Sequence, residues 1–183
     1  MGKIKAHEFI SVDGVYESPS WTMDFAFDPK MGEAIGAMVG SCTGLLLGRN
    51  TFEMFAPAWS SRTAEDDPGA PFFNESPKYV VSSAPQLNVE WNNSTLLGPY
   101  SRDTIRDLKD HSEGDLYVSG SGTLVRAMLA DGLVDELHLL LYPVTRGSGP
   151  RLFTEQAEPR KFSLGTCESY EHGVVYLNYR NAT

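Results

Sequence analysis

The sequence predicts a mixed α/β fold with three layers, a mostly parallel twisted sheet carrying helices on both faces and an antiparallel hairpin at one edge. Three observations point to it. Short apolar runs alternate with helix-spaced segments over most of the chain, and glycines punctuate the joints between them. Near the C-terminus the pattern changes to two strand-like runs about His172-Gly173, the mark of a hairpin. No internal repeat or low-complexity stretch interrupts this order, so the 183 residues are expected to form one domain.

The elements follow in order. "KIKAHEFISV" alternates well enough for a strand, and Asp13-Gly14 is a turn that ends it. A loop, "VYESPSWTMDFAF", leads to Asp28-Pro29, an N-cap carboxylate followed by a first-turn proline. Met31, Ile35, Met38 and Val39 then keep helical spacing, and the helix is expected to end near Gly40. "TGLLLG" is too continuously apolar for an edge strand, and "NTFEMFAPAW" reads as a short helix. Asn50 and Glu53 are spaced like a capping box, and the helix is expected to break before Pro57.

Ser60 to Pro77 carries three prolines and the acidic "EDDPG", which predicts a surface excursion. "KYVVSS" is a strand, "APQLNVEWNN" a connection with short extended structure, and "SRDTIRDLKDH" a helix with Ile105 and Leu108 facing inward. "DLYVSGSGTLVRAMLADG" reads strand, glycine-rich turn and a helix closed by Gly132. "VDELHLLLYPV" is a long apolar strand, central in the sheet or paired across a two-fold axis, and "FSLGTCESYEHGVVYLNYR" supplies the hairpin.

Composition narrows the function classes. A formal net charge of −9 with no basic run disfavours nucleic acid and anionic membrane as partners. No apolar run is long enough to span a membrane and "MGKIKAHEF" lacks a signal-peptide core, so a cytoplasmic location is expected. Cys42 and Cys167 fit no metal or redox spacing and are expected to be buried free thiols. His7, His111, His138 and His172 fit no metal-ligand spacing, and core or surface roles are expected for them.

Ligands of open α/β sheets bind beyond the carboxyl ends of the strands. Two joints there have suitable chemistry. At Gly48-Arg49-Asn50-Thr51 a bare backbone, free helix N–H groups and a guanidinium suit a phosphate; at Gly120-Ser121-Gly122-Thr123 glycines and hydroxyls do the same. Each is also ordinary turn geometry, but two on consecutive crossovers suggest one ligand with a pyrophosphate. Ser82 and Ser83 end a strand beside the same crevice, as a plain loop start or as holders of a further phosphate or ribose. Neither G-x-G-x-x-G nor the P-loop lysine is present. Asp24 lies among Trp21, Met23, Phe25 and Phe27, and apolar surroundings would keep it protonated to donate to or anchor a nitrogen heterocycle bound against Trp21 and Phe25. A solvated loop aspartate is the alternative.

Together "SVDG", "LLLGRNTFEMF", "KYVVSS", "LYVSGSGTLVRAML" and "GLVDELHLLLYPVTRGSGPRLF" span nearly the whole chain. They resemble the dihydrofolate reductase-like superfamily, most closely the C-terminal reductase domain of the bifunctional riboflavin-biosynthesis deaminase/reductase. The resemblance implies NADPH, its pyrophosphate across Gly48 to Thr51 and Gly120 to Thr123, and its ribose phosphate near Ser82 and Ser83. It implies hydride transfer to a small nitrogen heterocycle or its ribose Schiff base, as in 5-amino-6-(5-phosphoribosylamino)uracil reductase, with dihydrofolate reduction or a non-catalytic nucleotide binder as alternatives. Asp24 looks like the carboxylate that anchors the pteridine in dihydrofolate reductases. Related reductase domains commonly form dimers, so a homodimer is expected.

Overall fold

The structure, a computed structural model, describes residues 2–16, 19–155 and 157–182. Glu17 and Ser18 of the expected second loop lie outside the described residues. Eight strands form one sheet: β1 (Ile4–Ser11), β2 (Cys42–Gly48), β3 (Lys78–Val81), β4 (Ser94–Gly98), β5 (Asp115–Ser119), β6 (Glu136–Tyr142), β7 (Phe162–Ser169) and β8 (Val175–Asn181). Their order is β4-β3-β2-β5-β1-β6-β8-β7. Pairing is parallel from β4 through β6 and antiparallel for β6–β8 and β7–β8. The expected three-layer α/β fold with a C-terminal hairpin is what forms.

Helices α1 (Pro29–Gly40), α2 (Arg49–Trp59) and α3 (Ala70–Glu75) cover one face, where Val39, Phe52 and Phe73 pack on Leu45, Leu47, Val80 and Tyr117. Helices α4 (Arg102–His111) and α5 (Gly122–Ala130) cover the other, with Ile105, Leu124 and Met128 against Ala6, Leu46, Val118 and Leu139. Strand β1 lies between β5 and β6 and is covered on both sides, so even its polar Lys5, His7 and Glu8 are buried.

Several local expectations are met. Asp28 caps α1, its carboxylate accepting from the Lys30 N–H at 2.9 Å, and Gly132, at φ 70°, follows the end of α5. His172 (φ 61°) and Gly173 (φ 79°) turn the hairpin. Others are corrected. The α2 capping box does not form, because the helix begins at Arg49 with Gly48 as its N-cap; Glu53 instead accepts from Asn88 Nδ2. Pro57 sits inside α2, where a missing N–H deprives only one carbonyl near the helix end. Edge strand β4 and the short α3 were not foreseen.

Strand β6 is flanked on both sides, so its backbone cannot pair with a second copy; the sheet edges are β4 and β7. Both cysteines are free, but Cys167 is exposed on β7 because that strand is covered on neither face. Lys78 is fully buried and ties the chain before and after β3 together: its Nζ donates to the carbonyls of Asn74, Ser76 and Asn92 at 3.1, 2.9 and 2.9 Å. Among the described residues no helix is long and apolar enough to cross a membrane.

Candidate functional site

Strand β2 runs directly into α2, and β5 reaches α5 through Gly120 and Ser121. The two joints touch: a Cβ built on Gly48 would lie 2.0 Å from Ser121 Oγ. Only glycine at position 48 lets the start of one helix approach the start of the other so closely. Gly48 and Ser121 are the N-caps of α2 and α5, and neither makes a side-chain cap hydrogen bond. Ser121 holds a left-handed conformation (φ 56°, ψ 63°), uncommon outside glycine and asparagine. The first-turn N–H groups of two helices on opposite faces of the sheet thus converge without a capping oxygen, which leaves donors and two positive helix ends for an anion.

A cavity of about 360 Å³ opens at this point. Gly48, Arg49 and Asn50 form one side, Ser121 and Thr123 a second, and Ser82 and Ser83 a third, so the structure brings together three segments separated in sequence. Arg49 is exposed and makes no ion pair among the described residues. Ser82 Oγ accepts from the Ala84 N–H at 3.0 Å, which leaves its own hydroxyl proton to donate. Thr51, Gly120 and Gly122 do not line the cavity: Thr51 and Gly122 are buried, and Gly120 (φ 72°) makes the turn behind it. The chemistry of this cradle suits a dinucleotide pyrophosphate, with bare backbone at Gly48, two uncapped helix starts and a guanidinium unpaired among the described residues.

The aromatic segment behaves differently. Trp21 is buried, edge-on to Tyr142 with ring centroids 5.5 Å apart, and Phe25 packs on the same ring at 5.3 Å. Among the described residues the Trp21 Nε1–H has no partner. Asp24 is not enclosed. It ends a 3₁₀ turn, Pro19–Asp24, and is exposed, while Met23 and Phe27 are 84% and 62% exposed. The expected apolar shell around its carboxyl is therefore absent, because the turn buries Trp21 and leaves Met23 and Asp24 in solvent.

Three buried polar residues of the sheet were missed as site candidates. His7, His138 and Asn178 stand side by side in register on β1, β6 and β8, and among the described residues His7 Nε2, His138 Nε2 and Asn178 Oδ1 have no hydrogen-bond partner. His7 Nδ1 pairs with Tyr117 Oη at 2.9 Å and His138 Nδ1 with Tyr176 Oη at 2.6 Å. His138 Nε2 also lies 3.4 Å from Glu136 Oε2 without hydrogen-bond alignment. Burial pulls the His7 imidazole down to about 3 and His138 to about 4, so both are neutral. The fourth is Glu8 on the opposite face of β1, 4% exposed, its carboxyl pushed up to about 8 by burial. Its only sequence signal is an acid on the alternation of β1 that carries Ile4, Ala6 and Ile10.

The loop after β6 has a structural role. Asp13 accepts from the Arg146 and Gly147 N–H groups at 3.0 and 2.8 Å, and Arg151 Nε donates to the Asp13 carbonyl at 2.9 Å. The hydrogen bond from Ser11 Oγ and those from the Arg146 and Gly147 N–H groups hold the Asp13 carboxyl well below its usual range. Among the described residues no group of three or more His, Cys, Asp or Glu side chains is placed to hold a metal.

Residues 3–176 match the model of the RibD C-terminal domain family. The chain belongs to that family. A curated relative, the uncharacterized protein YwjB of Bacillus subtilis, is 21% identical over 178 residues, covering 94% of each chain. Among solved structures, a putative riboflavin biosynthesis protein from Shewanella superposes with a TM-score of 0.80 at 21% identity over the full length of both. A deaminase/5-amino-6-(5-phosphoribosylamino)uracil reductase from Thermotoga maritima gives 0.69 at 13% identity, covering 99% of this chain and 57% of that one. Dihydrofolate reductase from Enterococcus faecalis, complexed with NADP(H), gives 0.61 at 18% identity over 100% and 98%. The RibD C-terminal domain thus shares its fold with dihydrofolate reductase, as the sequence motifs implied.

Proposed function

We propose that this RibD C-terminal domain protein is an NADPH-dependent reductase of a small nitrogen heterocycle or its ribose Schiff base. The observation that carries the reading is the meeting of two uncapped helix starts at one cavity rimmed by the unpaired Arg49. In it the Arg49, Asn50 and Thr123 amides bind the pyrophosphate, Arg49 neutralises it, and Ser82 and Ser83 hold the ribose phosphate that separates NADPH from NADH. The bound cofactor supplies hydride. Trp21 and Phe25 wall the substrate, and Asp24 anchors it or gives it a proton once bound substrate covers the carboxylate and excludes water. A 5-amino-6-(5-phosphoribosylamino)uracil-like substrate fits the family best, with dihydrofolate second; the protein is read as cytoplasmic and homodimeric, which light scattering checks.

Titration with NADPH and NADH, followed by tryptophan quenching, tests the reading. Saturable binding that favours NADPH is expected, and no binding of either would remove the cofactor. Turnover then separates a reductase from a nucleotide binder. Asp24→Asn is expected to lower kcat by about 10²-fold with NADPH affinity unchanged, because Asp24 is no part of the cavity that seats the phosphates. Equal kcat in both proteins would take Asp24 out of the chemistry.

A further inference from the structure

Glu8 has no role in the fold that explains it. Its side chain lies on the α5 face of β1, between Ala6 and Ile10, both in the apolar cluster under α5. Laterally it faces Leu139 of β6 and, on the other side, Gly120, whose N–H donates to the His7 carbonyl at 3.3 Å. Its carboxyl makes no hydrogen bond or ion pair among the described residues, and Oε1 is wholly buried without a partner. A carboxyl left in this state is destabilising by several kcal/mol if ionised. It is tolerated where a ligand completes it.

The sheet order says which part of a ligand would arrive. Ser82 follows β3, and the pyrophosphate cradle lies between β2 and β5. A dinucleotide with its adenosine phosphate at Ser82 and its pyrophosphate in the cradle runs across the strand ends in the direction β3-β2-β5, and the next strand is β1. Its nicotinamide end therefore reaches the carboxyl end of β1. Gly120 has no side chain to stand between that end and Glu8. Tyr16 covers the approach: a Cβ on Gly122 would lie 2.2 Å from the Tyr16 ring, so this ring fills the space over the start of α5 and must turn aside.

We infer that Glu8, as a neutral carboxylic acid, holds the carboxamide of the nicotinamide ring, its O–H donating to the amide oxygen and its carbonyl oxygen accepting from the amide N–H. A primary amide offers one acceptor beside one donor, the pattern a neutral carboxyl complements. This deepens the reductase reading and rests on it. The groups about Glu8 leave it neutral: Arg126 on α5 lies over the Tyr16 ring, at 5.6 Å, Asp13 and Arg151 face each other at 3.6 Å, Tyr117 of β5 bonds His7, and His7 and His138 are uncharged. Burial keeps the proton on up to about pH 8.

Calorimetric titration of the wild type, Glu8→Gln and Glu8→Leu with NADP⁺ and with its 3-acetylpyridine analogue, which lacks the amide N–H, tests the contact. The wild type is expected to prefer NADP⁺ by about tenfold, Glu8→Gln to keep that preference, and Glu8→Leu to lose it. Above pH 8 wild-type affinity is expected to fall up to about tenfold per unit, and the Glu8→Gln affinity to stay level. The inference is overturned if Glu8→Leu discriminates as the wild type does, or if the wild-type pH profile matches that of Glu8→Gln. Discrimination or pH failure with tight NADP⁺ binding overturns the Glu8 contact alone, and failure of the wild type to bind either dinucleotide overturns the cofactor reading with it.

Discussion

Gly48→Ala is expected to weaken NADPH binding by tenfold or more, about 1.4 kcal/mol, in a protein that still folds. The new methyl would lie 2.0 Å from Ser121 Oγ and 2.6 Å from Ser121 Cβ. Rotating the hydroxyl relieves the first contact and not the second, so backbone must move. Ser121 is already held in a left-handed conformation at the start of α5, and the shift therefore separates the two helix starts that make the cradle. Donors converging on one pyrophosphate lose their common target when the joints part by a few tenths of an ångström. Gly36→Ala is the control: it sits in α1 with nothing within 4 Å of the added Cβ, and is expected to raise stability by up to about 1 kcal/mol without touching affinity. Unchanged NADPH affinity in Gly48→Ala would mean the dinucleotide does not use this cradle.

The cradle was legible because its chemistry is local. A glycine between an apolar strand and a helix, twice, needs only the right-handed crossover of a parallel sheet to bring both joints to one edge. Sequence also placed the hairpin, α1 with its Asp28 cap, and Gly132 after α5. What it missed depended on tertiary contacts. "STLLG" is too short and too weakly patterned to stand out, and becomes β4 because β3 offers it an edge. The Asn50–Glu53 spacing mimics a capping box, but the helix starts two residues earlier, at Arg49 with Gly48 as its N-cap against Ser121. Asp24 among aromatics looks enclosed in one dimension; the 3₁₀ turn sends Met23 outward, Phe27 beyond it is exposed as well, and the acid is left wet. Glu8 and His7 alternate along β1 as if one of them faced solvent. Both faces of that strand are covered, and no local pattern reports the second cover.

Burial of these same groups makes a second large effect, a stability maximum near pH 6.5. Glu8 titrates at about 8 in the native state against 4.5 when unfolded. Between those values the unfolded chain is ionised and the native one is not, so stability falls as pH rises, by up to about 1.4 kcal/mol per unit. His7 and His138, at about 3 and about 4 against 6.5, act with the opposite sign: below 6.5 the unfolded imidazoles bind protons that the native ones refuse, and stability falls as pH drops. From 4.5 to 6.5 two histidines outweigh one glutamate. From 6.5 to 8 Glu8 acts alone among the three and removes about 2 kcal/mol. Asp115 and Glu136, paired with Lys5 and Lys3, are held low and steepen the acid side further. Lys78, lowered to about 8, adds stability only above that pH, so denaturant melts from pH 4.5 to 8 isolate the effect. Glu8→Gln is expected to abolish the loss above pH 6.5 and leave the acid limb steeper. An alkaline limb that survives the substitution would show that the native Glu8 carboxyl is ionised at neutral pH.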